Sequence, residues 1–276
     1  MRIDVHQHFW KFDLVRDQWI DDSMAAIRRD FMPGDLAPIL RENGLDGCIA
    51  VQADQSEQET IFLLDLARSN PIIRGVVGWV DLFDPKVEER LDYFSQDEKL
   101  KGIRHIVQGQ PEGFMLQQDF HRGIQKLYSF GLVYEILVYA NQIKEATELV
   151  KNHPDQVFVL DHLGKPGIKQ GELEQWKKDL HALAELPNVH CKLSGVVSQA
   201  DWNSWKYADF VPYFEVLFES FGTQRVMFGS DWPVCLVAGS YKEVLELAQQ
   251  YIAQFSQGEQ ADIMGRTATR IYNLKS

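Results

Sequence analysis

Cysteine is scarce in this chain: Cys48, Cys191 and Cys235 are the three among 276 residues. Thiols so few and so scattered exclude a disulfide framework and point to a reducing cytoplasm. Positive charge is also short. Lys and Arg number 28 against 40 Asp and Glu, a net charge of −12 with no basic patch, which sets nucleic acid aside as a partner. No apolar run approaches the roughly 20 residues that a membrane helix requires. The first residues enter a strand-like run, without the basic and apolar regions of a secretory leader. No Gly-rich turn follows that strand, which counts against a doubly wound dinucleotide-binding sheet. No low-complexity linker or shift in composition divides the sequence, so 1–276 read as a single domain.

What is present is alternation. Short runs rich in β-branched and aromatic residues, bounded by Gly, Asp, Asn or Pro, occur at 2–8, 46–54, 75–82, 101–108, 131–139, 157–164, 188–195 and 225–233. Helical patterns fill the gaps. Ser56 and Glu59 stand at capping-box spacing, and Ser240 and Glu243 repeat it. Asp84 and Pro85 open another helix, one begins at Asn141, one fills 171–186, and Gly131 and Gly222 end two more. Eight strands alternating with helices match a (β/α)8 barrel in count and length. Residues 9–32, with Trp10, Phe12 and Trp19, form a longer connection than a βα turn needs, as expected of a segment that covers the catalytic face.

The first run reads IDVHQHFW. Residues two apart on a strand face the same way, so His6 and His8 point to one side at the C-terminal end of the strand, the active-site face of a barrel. A hydrogen-bonded polar pair ending a strand would look the same in isolation. Other chemistry-bearing residues occupy equivalent ends, however. LDHLGKP brings His162 and Lys165 to the sixth strand, FGSDWP brings Asp231 and Trp232 to the eighth, and GIRH puts Arg104 and His105 in the fourth. Closure sets the eighth strand beside the first, so Asp231 is expected near His6 and His8, with His162 across the mouth. His105 neighbours Arg104 and faces the opposite way; its role stays open. His121, His153, His181 and His190 read as structural.

These motifs resemble the amidohydrolase superfamily, and more closely its amidohydrolase-2 branch, which includes sugar-acid lactonases. DVHQHFW, GIRH, LDHLGKP, KLSG and FGSDWP carry the resemblance in that order from residue 4 to 233, nearly the whole chain. It implies a metal-dependent-hydrolase-like (β/α)8 barrel that opens the lactone ring of a sugar acid, such as L-fuconolactone. Many superfamily members place a histidine on the fifth strand. GLVYEILVY has none, offering Glu135 and Tyr139 instead. The resemblance therefore implies at most one divalent ion, zinc or manganese, held among His6, His8, His162 and Asp231, with metal-free catalysis equally open.

A lactone is an ester, so hydrolysis needs an activated water and donors for the developing oxyanion. Asp231 suits a general base, and His6, His8, His162 and Arg104 supply the donors. Indole faces suit the C–H faces of a sugar ring and the indole N–H can reach a hydroxyl, which marks Trp10 and Trp232 as pocket residues with Lys165 and Tyr139. A metal-dependent decarboxylase or another amidohydrolase of the branch is the alternative within catalysis, and a barrel that only binds a sugar is the alternative outside it. Homo-oligomerisation stays open.

Overall fold

The computed structural model describes residues 1–275. Eight strands form one parallel sheet in sequential order: β1 (Ile3–Gln7), β2 (Gly47–Val51), β3 (Ile73–Gly78), β4 (Leu100–Ile106), β5 (Val133–Leu137), β6 (Phe158–Leu160), β7 (Val189–Leu193) and β8 (Val226–Phe228). The sheet closes at its C-terminal end, where His8 N donates to the Trp232 carbonyl at 2.7 Å and Asp231 N to that of His6 at 2.7 Å. Nearly every strand residue is buried, as expected when helices cover one face of a parallel sheet and its own interior the other. The eight expected strands are thus the eight observed; all end earlier than expected, and β3 and β4 begin one or two residues sooner.

The outer helices are α1 (Pro33–Glu42), α2 (Glu57–Ser69), α3 (Val87–Ser95), α4 (Gln118–Ser129), α5 (Ile143–Lys151), α6 (Glu174–Ala184), α7 (Tyr207–Phe221) and α8 (Tyr241–Ile252), followed by the short α9 (Gln257–Ala261) and α10 (Thr267–Ile271). Both expected capping serines work: Ser56 accepts from Glu59 N at 3.2 Å and Ser240 from Glu243 N at 3.3 Å. Asp84 does not cap α3 directly. Its carboxylate accepts from Lys86 N at 2.8 Å and turns the chain one step before the helix begins. The sequence reading missed α1, whose Pro33 and Pro38 broke the pattern, and the two closing helices.

Two apolar layers hold the barrel. The larger lies between strands and helices. The smaller fills the lower interior with Ile3, Val5, Ile49, Val51, Val77, Val133, Val159 and Met227, and Ala268, Tyr272 and Leu274 from the C-terminal segment close it from below. The upper interior is polar, and the site is built there. His121 and His153 lie on the outer surface and bond to each other, Nδ1 to Nε2 at 2.7 Å.

His105 faces outward from β4, as alternation requires, into a cage of Phe83, Phe114 and Phe120. Its Nδ1 accepts from Trp79 Nε1 at 3.3 Å, a contact that needs the neutral ring. Burial lowers its pKa from 6.5 to about 4. The unfolded chain therefore takes up this proton at higher pH than the native one, and stability falls as pH drops through the window between 6.5 and 4. Over that range, wild type should lose up to about 3 kcal/mol relative to His105→Leu, the linkage value of that shift. Urea unfolding of both proteins at pH 7 and pH 4.5 checks this, and parallel behaviour would contradict it.

Candidate active site

β1 is irregular where the site begins. Its register with β2 shifts between Asp4 and Gln7. Asp4 turns outward, where its carboxylate accepts from the Ser230 amide at 2.9 Å, the Ser230 hydroxyl at 2.6 Å and the Tyr241 hydroxyl at 3.1 Å. It also accepts from His6 N at 3.1 Å. A bulge of this kind re-aims side chains. Here it follows Val5 in the dry lower layer with His6 and His8 in the polar one.

Three expected site histidines and Asp231 converge. From Asp231 Oδ1, His8 Nε2 stands at 3.4 Å, His6 Nε2 at 3.9 Å and His162 Nε2 at 4.0 Å. The ring centroids of His6 and His8 are 5.0 Å apart and those of His6 and His162 are 4.3 Å apart. Each imidazole is held from behind at Nδ1. His8 Nδ1 meets the Val51 carbonyl at 2.8 Å, and His162 Nδ1 meets Ser194 Oγ at 2.9 Å. His6 Nδ1 lies 3.3 Å from Asp161 Oδ1 and 3.1 Å from Lys192 Nζ. Arg104 Nη1 stands 3.2 Å from His6 Nε2. A guanidinium and an ammonium only donate, and here they stand at opposite nitrogens of the His6 ring, with the Asp161 carboxylate beside Nδ1.

The floor under these rings is a buried ionic network that the sequence reading did not assemble. Arg104 Nη1 pairs with Asp161 Oδ2 at 2.9 Å, and its Nη2 bonds the Gln52 carbonyl. Lys192 Nζ pairs with Asp161 at 3.1 Å and with Glu135 at 2.6 Å, and Tyr272 donates to Glu135 at 2.6 Å. A signal did exist. Lys192 interrupts the apolar run VHCKL, and a lysine inside a parallel strand must find a carboxylate. Asp161 was hidden by its neighbour: simple alternation would face it away from His162.

Electrostatics follow from burial. Burial drives His6 well below the ordinary histidine range, with Lys192 pushing the same way. Burial takes His162 down to about 4, against the pull of Asp231. Both rings are neutral near pH 7. Burial opposes ionisation of Asp161, yet Lys192, His6 and Arg104 together hold it well below the usual carboxylate value. Asp231 is likewise lowered, with His162, His8 and Lys165 outweighing its burial. Glu135 is raised to about 7, because burial outweighs Lys192.

The remaining expected residues occupy different places. Lys165 reaches Gln108 Oε1 at 2.5 Å and lies 5.7 Å from the ring centre of Tyr139, which is half exposed at the rim. Trp10 stacks on His8 at a centroid distance of 6.3 Å. Its indole N–H, expected from sequence to reach a substrate hydroxyl, instead donates to the Arg29 carbonyl at 2.9 Å. Trp232 is buried edge-on against Phe9 and Phe31. Arg104 is committed to His6, Asp161 and Gln52 through both its terminal nitrogens.

The donor set fits a divalent ion. One donor atom from each of His6, His8 and Asp231 lies within 4.8 Å of the others. The Val51 carbonyl fixes the proton of a neutral His8 on Nδ1, so its Nε2 lone pair faces the Asp231 carboxylate at 3.4 Å. Two acceptors so placed need a proton, a water or a cation between them. Backing of the far ring nitrogen is also what orients histidine ligands. His6, Asp161 and His162 form a second grouping of donors, but Arg104 and Lys192 already neutralise Asp161.

Fold and site together define a (β/α)8 hydrolase with a histidine–aspartate centre at the strand C-termini. The chain belongs to the amidohydrolase family, whose model matches residues 3–274. It is 39% identical to an L-fucono-1,5-lactonase of Burkholderia multivorans, over 99% of this chain and 96% of that one. It is 31% identical to an L-fucono-1,5-lactonase of Burkholderia ambifaria, with the same shares covered. The crystal structure of a Burkholderia multivorans amidohydrolase with bound zinc superposes with a TM-score of 0.97 at 38% identity, covering all of both chains.

Asp161→Asn leaves two buried cations with one carboxylate fewer. Unpairing a buried ion of this kind costs about 3–5 kcal/mol. Chemical denaturation at pH 7 should show that loss, and a change under 1 kcal/mol would remove Asp161 from its central place.

Proposed function

We propose that this protein hydrolyses the lactone of a sugar acid, with Asp231 as general base. The observation that carries the reading is the convergence of three histidine Nε2 atoms on one carboxylate oxygen at the barrel mouth. The relatives named L-fucono-1,5-lactonase support a six-membered aldonolactone as the substrate class.

In this mechanism a water bound beside Asp231 gives a proton to the carboxylate as its oxygen attacks the lactone carbonyl. Negative charge develops on the carbonyl oxygen, and His162, whose Nδ1 accepts from the Ser194 hydroxyl so that Nε2 carries the proton, is oriented to meet it. The acyl–oxygen bond of the ring then breaks. The departing alkoxide recovers the proton from Asp231, and an open-chain hydroxy acid leaves. Arg104 acts on this step through His6, which it holds in register, rather than on the substrate. Trp10, itself buried, packs on His8 and holds that ring in place.

His6, His8 and Asp231, with His162 beside them, are the residues that would hold one zinc or manganese ion. Such an ion acidifies its bound water and polarises the carbonyl. Arg104 and Lys192 already neutralise Asp161, the carboxylate of the second donor grouping, which disfavours a second ion. Metal analysis after equilibration with zinc should find no more than one ion per chain, and two tightly held ions would contradict this.

Asp231→Asn keeps the side chain's size but cannot take a proton from water near neutral pH. Its turnover on the best aldonolactone should fall at least about a hundredfold, the lower range for loss of a positioned base. Circular dichroism should show the fold intact. A folded variant with near-normal turnover would overturn the assignment.

A further inference from the structure

The turn that follows β6 is wound against the preference of L-amino acids. His162, Leu163, Gly164 and Lys165 all have positive φ, between 51° and 69°. Residues with a Cβ avoid this region, and four in succession form one turn of left-handed helix. A conformation so disfavoured persists only where its surroundings impose it, and such places cluster at functional sites.

The surroundings here do impose it. Lys165 N closes the turn on the His162 carbonyl at 2.8 Å. The buried Trp176 donates its indole N–H to the Leu163 carbonyl at 2.8 Å. Gly195 lies against the His162 ring so closely that a Cβ there would stand 2.4 Å from Nδ1. Gly164 meets Ile143 in the same way, with 2.6 Å to its Cδ1.

The consequence is geometric. In a turn closed from i to i+3, those two side chains eclipse. His162 and Lys165 therefore share a face, the one turned toward Asp231. Lys165 Nζ is anchored by Gln108 Oε1 and lies near the Tyr139 ring face, and no carboxylate pairs with it at ion-pair distance among the described residues. An ammonium has three N–H donors and no acceptor, so most of its capacity remains for a guest. A guest carboxylate would meet the nearby negative charge of Asp231. A neutral hydroxyl oxygen would not.

We propose that Lys165, presented by the left-handed turn and positioned by Gln108, is the specificity-determining residue that reads a ring hydroxyl of the lactone. This deepens the lactonase reading and rests on it. The test compares kcat/KM on a hydroxylated 1,5-aldonolactone with that on unsubstituted δ-valerolactone, for wild type, Lys165→Met, Gln108→Leu and Gln108→Glu. Sites built to bond a substrate hydroxyl discriminate strongly against analogues that lack it. Lys165→Met should lower kcat/KM at least about tenfold more on the hydroxylated lactone than on the plain one. Gln108→Leu should shift the ratio the same way by less, and Gln108→Glu, which still anchors the ammonium, should restore it. Equal losses on both lactones would overturn the proposal, as would an unchanged ratio in both Lys165→Met and Gln108→Leu. Should Lys165→Met fail to fold, the Gln108 pair decides the matter by the same ratio. A wild-type protein that hydrolyses neither lactone would instead sink the lactonase reading, and this proposal with it.

Discussion

Two cations buried inside a barrel must be neutralised where they stand, and Asp161 is where that happens. Arg104 approaches it from β4 and Lys192 from β7, while His6 of β1 leans on the same carboxylate. Three strands are thereby fixed to one side chain at the centre of the mouth. The desolvation cost of such a cluster is large and its contribution to stability modest, so its value lies in what it positions. It holds the His6 ring in place and, through Lys192, helps keep that ring neutral.

The division of the interior follows from this. Below the network the barrel is apolar and sealed by Tyr272 and Leu274. Tyr272 also touches the network through Glu135, so the C-terminal segment and the active site are joined by consecutive hydrogen bonds. Above the network, His8, His162 and Asp231 face the mouth. The left-handed turn after β6 extends the same economy of placement, since one short strained segment supplies Asp161 to the floor and His162 and Lys165 to the rim.

Much of this was legible from sequence because it rests on short-range regularities. Parallel strands buried on both faces announce themselves as apolar runs, and their order around a barrel follows from chain order. His6, His8, His162 and Asp231 could be brought together on that basis alone. What escaped notice obeys no local period. The bulge at Asp4–Gln7 breaks strand alternation, and the left-handed turn hides Asp161 behind His162. Lys192 gains its meaning from carboxylates 31 and 57 positions away, Asp161 and Glu135. The Trp10 indole N–H was misjudged for the same reason, since its acceptor is a carbonyl 19 residues on. The role of His105 emerged only with the cage of aromatic rings around it.

The central claim is that the polar mouth of this barrel opens a sugar lactone by water attack. Its most direct measurement is the hydrolysis of a panel of purified 1,5- and 1,4-aldonolactones by the wild-type protein, followed by acid release, with and without chelator. The account predicts rapid ring opening of at least one hydroxylated 1,5-lactone, well above the spontaneous rate. Hydrolysis of none of them under either condition would contradict it.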